Sequence, residues 1–209
     1  MPHPDASFWT KIAPKYARDP IADMEAYTAT LERMRACLRP DDAVLELGAG
    51  TTTTARDLAG QVRDYLATDI AAGMIRIGEE KQDADPIPTL RLAVADGVPE
   101  GEFDVILALN LLHLVRDLEA FLADIAARLA PGQLFISKTT CLGAAPFLAR
   151  LGIRVMIPAA ALIGKAPGAV LFLTPESLDA AITRAGFTIE ETRQETGTIP
   201  RRFVVARRA

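Results

Sequence analysis

The segment 103–109, Phe-Asp-Val-Ile-Leu-Ala-Leu, is apolar at six of its seven positions. A strand of that composition has both faces covered, the condition of a parallel sheet packed between helices. The middle of the chain repeats the theme. Short apolar segments at 43–47, 64–68, 89–95 and 133–139 alternate with helical ones at 51–59, 71–81 and 117–129, the last ended by Pro131-Gly132. Such alternation implies βαβ units and a doubly wound α/β fold. Thr174 and Pro175 then open a helix to about Ala185, and two further strands follow at 188–195 and 202–207. Their connection is too short for a crossover helix, so they pair antiparallel. The expectation is one domain over 1–209 with a mostly parallel, seven-stranded sheet whose last strand is antiparallel.

Two stretches flank or interrupt this pattern. In 1–40, Phe8, Trp9, Ile12 and Tyr16 recur at helical spacing, Pro14 and Pro20 interrupt it, and 21–38 reads as a longer amphipathic helix. This is an N-terminal helical lid. The stretch 141–173 is rich in Ala, Gly and Pro and carries charge only at Arg150, Arg154 and Lys165. It reads as one or two short helices covering a substrate, with a homodimer interface and a monotopic membrane contact as competitors. Its longest charge-free runs, 139–149 and 155–164, fall short of the ~20 residues of a bilayer span.

Charge and cysteine usage narrow the function classes. A net charge of −4 gives no general attraction to a polyanion. The one basic cluster, Arg201, Arg202, Arg207 and Arg208, reads as a solvated strand end, so no nucleic-acid partner is expected. Cys37 and Cys141 lie far apart among apolar neighbours and read as buried thiols. With two histidines and no cysteine cluster, no metal site is expected. The first ten residues lack the apolar core of a signal peptide, which makes the cytoplasm the expected location.

The chemistry is concentrated after the first strand. Val44-Leu45-Glu46-Leu47 leads into Gly48-Ala49-Gly50-Thr51 and then a helix. Glycines let a backbone approach a ligand closely, and the helix N-terminus presents unpaired N–H groups. A nicotinamide fingerprint needs a third glycine where this chain has Thr53, and no Gly-Lys-Ser/Thr follows for a P-loop. Three acids follow in order at strand ends, where open α/β sheets bind ligands: Glu46, Asp69 and Asp96.

These segments resemble the class I S-adenosylmethionine-dependent methyltransferases. Glu46-Leu47-Gly48-Ala49-Gly50-Thr51 is similar to the family's first motif, although the usual further glycine is replaced by Thr52. Thr68-Asp69-Ile70 with Gly73-Met74 resembles the second motif, Ala95-Asp96-Gly97 the third, and Phe103 to Leu114 the fourth. The resemblance implies S-adenosylmethionine as cofactor and S-adenosylhomocysteine as product. It implies that Gly48, Ala49 and Gly50 lie beside the methionine moiety, with Glu46 reaching its ammonium or orienting the loop. Asp69 would accept from the ribose hydroxyls, Ile70 and Met74 belong to the same motif, and Asp96 and the Gly97 N–H would meet adenine. Tyr16 matches a tyrosine that closes over the cofactor. Asn110-Leu111-Leu112-His113 follows the fourth strand, which makes Asn110 a cofactor neighbour and His113 the candidate general base; a packed, hydrogen-bonded histidine is the alternative. That tetrapeptide lacks the prolines of the DNA-modifying members. The expected function is methyl transfer to a small, partly hydrophobic acceptor. A nicotinamide oxidoreductase and a non-catalytic S-adenosylmethionine-binding domain are the alternatives.

Overall fold

The computed structural model describes residues 5–195 and 199–209. The first four residues of the expected lid, and 196–198 of the hairpin connection, lie outside the described residues. The strands are β1 (Ala43–Leu47), β2 (Asp64–Asp69), β3 (Leu90–Val94), β4 (Phe103–Leu109), β5 (Leu129–Thr140), β6 (Phe187–Glu195) and β7 (Arg201–Arg208). They form one sheet in the order β3-β2-β1-β4-β5-β7-β6. β1, β2 and β3 pair in parallel, and β7 runs antiparallel to both β5 and β6. This is the expected Rossmann-like methyltransferase architecture. The chain divides into two compact units, Met1–Leu107 and Ala108–Ala209.

The first unit holds α1 (Ala6–Arg18), α2 (Met24–Arg35), α3 (Thr53–Leu58) and α4 (Ala72–Ala84). All five residues of β1 are buried, as a central strand demands. Its first N–H, on Ala43, is held by Asp104 Oδ2 at 2.8 Å. Pro14 does not interrupt the first helix but lies inside α1. A proline cannot donate to the carbonyl four residues back, here Thr10. That turn instead faces α4: a Cβ on Gly73 would come within 2.7 Å of the Thr10 carbonyl. The close approach seats Ala13, Trp9 and Ile12 against Ala71 and Met74. The second helix starts later than its apolar pattern suggests, because Asp23 caps it by accepting from the Ala26 N–H at 2.9 Å.

The second unit holds α5 (Leu118–Ala127), α6 (Phe147–Leu162) and α7 (Pro175–Arg184). Asp117 caps α5, and Thr174 with Ser177 forms a capping box on α7. The helix expected to reach Leu129 ends at Ala127, and β5 continues past Pro131-Gly132, with Gly132 at φ 89°. Leu129 is buried, and the register of β5 with β7 begins only at Leu134, so Pro131 removes no bond from that ladder. Within 141–173 a single 3-10 turn at Leu142–Ala144 precedes one 16-residue helix, α6, with Pro158 inside it. The four C-terminal arginines are engaged within this unit: Arg202 with Asp179, Arg207 with Glu190, Arg201 near Glu195, and Arg208 on the Ala126 and Gly186 carbonyls. Cys141 is buried, and burial pushes its thiol up to about 11, whereas Cys37 is only half-buried.

Candidate active site

The loop after β1 is built from two positive-φ glycines, Gly48 at 66° and Gly50 at 54°. That backbone turns the chain sharply at little steric cost. Ala49 N–H reaches the Thr68 carbonyl at 2.9 Å, tying the loop to the end of β2. The Gly50 N–H donates to Asp69 Oδ2 at 2.9 Å, and the Ala71 N–H to Asp69 Oδ1 at 2.9 Å. Asp69 therefore braces the loop and the start of α4 at once. Each of its oxygens keeps a second lone pair for a ligand hydroxyl. Thr52 occupies the left-handed region at φ 63° where the family pattern has glycine.

Glu46 is the acid most altered by the fold. In the β1–β2 register it sits beside Ala67, so Tyr65, Ala67 and Asp69 share its sheet face. The Tyr65 hydroxyl donates to Glu46 Oε2 at 2.8 Å. Burial pushes the Glu46 carboxyl up to about 7, the Tyr65 bond works against that rise, and the Asp69 charge adds to it. Asp69 is itself held above the usual carboxylate range by burial, offset in part by its two backbone donors. Among the described residues, no Lys, Arg or His pairs with either carboxylate. Tyr16 is half-exposed, and its Cε1 would stand 3.6 Å from a Cβ on Gly50. Burial chiefly, then the charges of Asp69 and Glu46, raise its hydroxyl.

The other expected residues fall in three settings. Met74 is 2% exposed and packed with Ala13 and Ala71, so it supports α1 on α4. Ile70 is half-buried beside Asp69, and Asp96 is exposed after β3. Gly97 has φ 90°, with open space where a side chain would stand. Asn110 and His113 belong to the second unit. Asn110 is exposed, holds φ 54°, and donates its N–H to the Lys138 carbonyl at 2.6 Å. His113 is partly buried, its Nδ1 has no partner, and burial lowers its imidazole from 6.5 to about 4. His113 is therefore a neutral imidazole above about pH 5. Leu171 N–H binds the His113 carbonyl at 2.7 Å.

Tyr65 was absent from the sequence-derived site, because only the pairing of β1 with β2 brings it to Glu46. Lys81 was also absent; its Nζ binds the Thr51 carbonyl at 2.7 Å and steadies the far side of the loop.

A family model described as a methyltransferase domain matches residues 16–192. The chain belongs to that family. It is a class I S-adenosylmethionine-dependent methyltransferase domain, with S-adenosylmethionine as its methyl donor. The nicotinamide reading falls with that membership. This methyltransferase is 29% identical over 161 residues to a demethylmenaquinone methyltransferase of Beutenbergia cavernae, covering 72% of this chain and 64% of that one. It is 35% identical over 108 residues to a hybrid PKS-NRPS synthetase of Macrophomina phaseolina, covering 46% of this chain and 3% of the synthetase. The chain thus spans only a small part of the multidomain relatives it matches. Among solved structures, the 4+2 cyclase SpnF superposes with TM-score 0.75 at 15% identity, over 97% of this chain and 95% of that one. Magnesium protoporphyrin IX methyltransferase of Synechocystis, with bound S-adenosylhomocysteine, gives 0.67 at 18%, over 97% and 94%. At those identities the likeness shows the fold alone.

The donor set of this methyltransferase fits its cofactor. Two neighbouring carboxylates, with no cation of the described residues paired to them, suit a ligand bearing a sulfonium and an ammonium.

Proposed function

We propose that this methyltransferase acts on a small acceptor with apolar parts, and that His113 meets the acceptor. The observation that carries this reading is the 2.7 Å bond from Leu171 N–H to the His113 carbonyl. It ties a residue at the end of the fourth motif to the end of a 142–173 stretch that offers no polar side chain except three cations. An acceptor beside His113 therefore meets chiefly aliphatic and aromatic surface. The relative named for demethylmenaquinone supports an acceptor of that kind.

S-adenosylmethionine, when bound, supplies a methyl group activated on sulfur and leaves as S-adenosylhomocysteine. On this proposal Glu46 and Asp69 hold its positive charge, and the spare lone pairs of Asp69 take the ribose hydroxyls. The Gly48-Ala49-Gly50 backbone lets the methionine end approach, Tyr16 covers it, and Ile70 flanks it. Asp96 and the Gly97 N–H meet the adenine, while Met74 seats α1 from below. His113 stays neutral, and a ring nitrogen of its imidazole accepts a hydrogen bond from an acceptor O–H or N–H, orienting the nucleophile. The proton then leaves to solvent rather than resting on an imidazole that burial keeps from charging.

Turnover of labelled S-adenosylmethionine against quinols, phenols and fatty acids on one side, and sugars and amino acids on the other, tests the acceptor class. Methylation confined to the polar set would refute the apolar reading. Tight cofactor binding without turnover of any acceptor would favour a non-catalytic domain.

A further inference from the structure

An ordinary surface helix buries its apolar stripe, but α6 presents one to solvent. None of its residues is buried. Phe147, Leu148, Leu151, Val155 and Met156 are between 51% and 80% exposed, and Leu162 and Ile163 continue the row at 89% and 67%. At ~100° per residue these seven fall on one half of the helix, whereas Ile153 and Ile157, both partly buried, fall on the other. Single exposed leucines are common on proteins; a continuous row along a whole helix marks a contact surface.

The charges around the row identify the partner. No acid occurs from 125 to 175, and within 142–173 every residue is apolar or glycine except Arg150, Arg154 and Lys165. Arg150 and Arg154 border the row on the side of Phe147. Arg154 lies 4.9 Å over the Phe172 ring, and Arg150 binds the Gly143 carbonyl at 3.0 Å. Among the described residues none of the three cations pairs with an acid. We propose that the outer face of α6 docks on an anionic lipid bilayer, with the apolar row sunk to the acyl boundary and Arg154 and Lys165 at the phosphates.

The same observations disfavour the other occupants. A second copy meeting this face symmetrically would set cations against cations with no acid to answer them. A protein partner would be expected to exchange roughly one hydrogen bond per 100–200 Å², and the row offers no neutral donor or acceptor side chain. A spanning arrangement fails on length: α6 has 16 residues, and among the described residues no helix is long and apolar enough to cross a membrane. The proposal does not depend on the acceptor class argued above.

Co-sedimentation of the full chain with vesicles of phosphatidylcholine, with and without phosphatidylglycerol, tests it. Binding to the anionic vesicles is expected, and weaker binding to neutral ones and at high salt. The pairs Leu148→Gln/Met156→Gln and Arg154→Gln/Lys165→Gln should each weaken binding about tenfold or more. Both should keep the wild-type melting curve and calorimetric S-adenosylmethionine affinity, which separates lost docking from lost folding. No co-sedimentation with anionic vesicles overturns the proposal, and so does undiminished binding by both double variants. A dimer that the Leu148→Gln/Met156→Gln pair dissolves, with no vesicle binding, assigns the face to a second copy instead.

Discussion

Tyr65 holds Glu46 by a 2.8 Å hydrogen bond between two buried side chains on neighbouring parallel strands. The donor stabilises the ionised carboxylate in a place where burial works against it. In Tyr65→Phe the carboxyl keeps its burial and loses its donor. Its titration should move above about 7. At pH 8, where Glu46 is ionised, the variant should lose about 1.5–3 kcal/mol of stability, the range for hydrogen bonds to charged groups. Urea denaturation at pH 8 and at pH 5 checks this. A loss of equal size at both would mean that the ring's packing, not the bond, is at stake.

Cofactor affinity should depend on pH through the same carboxyl. A cation bound beside Glu46 favours its ionised form, so binding below about pH 7 expels a proton. Affinity for S-adenosylmethionine should then weaken with acidification, by up to about tenfold per pH unit. Glu46→Gln should bind more weakly at pH 8 and lose most of this dependence. Calorimetry at pH 6 in two buffers of different ionisation heat measures the proton directly. Identical heats in both buffers would rule out the coupling.

Stability should respond to pH through two opposed groups. Glu46 titrates near 7 when folded against an ordinary 4.5, so its native state keeps a proton that the unfolded chain gives up. That contribution is whole below pH 4.5 and lost as pH rises towards 7. His113 titrates near 4 against 6.5, so its contribution is whole above 6.5 and lost as pH falls towards 4. Each slope is at most about 1.4 kcal/mol per pH unit, and between pH 4.5 and 6.5 they run against each other. Glu46→Gln should therefore make the protein lose more stability on acidification than the wild type does across that window. His113→Asn should make it lose more on alkalinisation. Urea midpoints at half-unit pH steps would show the two trends, and parallel curves for all three proteins would contradict them.

Where information is local, the sequence carried it. The strands from β1 to β5 were readable because each carries a short apolar run, and Asp69 and Asp96 because each lies at or just past the end of one. The continuation of β5 past Pro131-Gly132 was not readable: the breaker pair looks like a stop, yet Leu129 is buried and β7 pairs with β5 only from Leu134, so the proline costs no bond of that ladder. The identity of His113 was evident, but its charge state was not, since burial is a property of the folded chain. Glu46 was conspicuous beside the glycines. Its partner Tyr65 lies nineteen residues away and is brought to it by strand register rather than by any local pattern.

The departure at Thr52 was visible too, but not what compensates it. Thr52 is fully buried at φ 63°, a conformation that strains a β-branched residue. Space for its side chain comes from Gly78 on α4, where a Cβ would stand 2.7 Å from Thr52 Cγ2 and 2.9 Å from Oγ1. Gly78→Ala in the wild type should therefore cost about 1–3 kcal/mol, as overpacking does in a filled core. In a Thr52→Gly background the obstacle shrinks to Leu92 Cδ1 at 3.1 Å, the end of a flexible side chain that can give by a few tenths of an ångström. The same alanine should then stabilise the protein, by up to about 1 kcal/mol of helix propensity. The sign of one substitution thus reverses with the residue at position 52. A urea-denaturation cycle over the four proteins measures the coupling, expected at about 1–3 kcal/mol. Additive effects would mean that the loop and α4 adjust independently, and that Gly78 does not hold the cofactor loop in its turn.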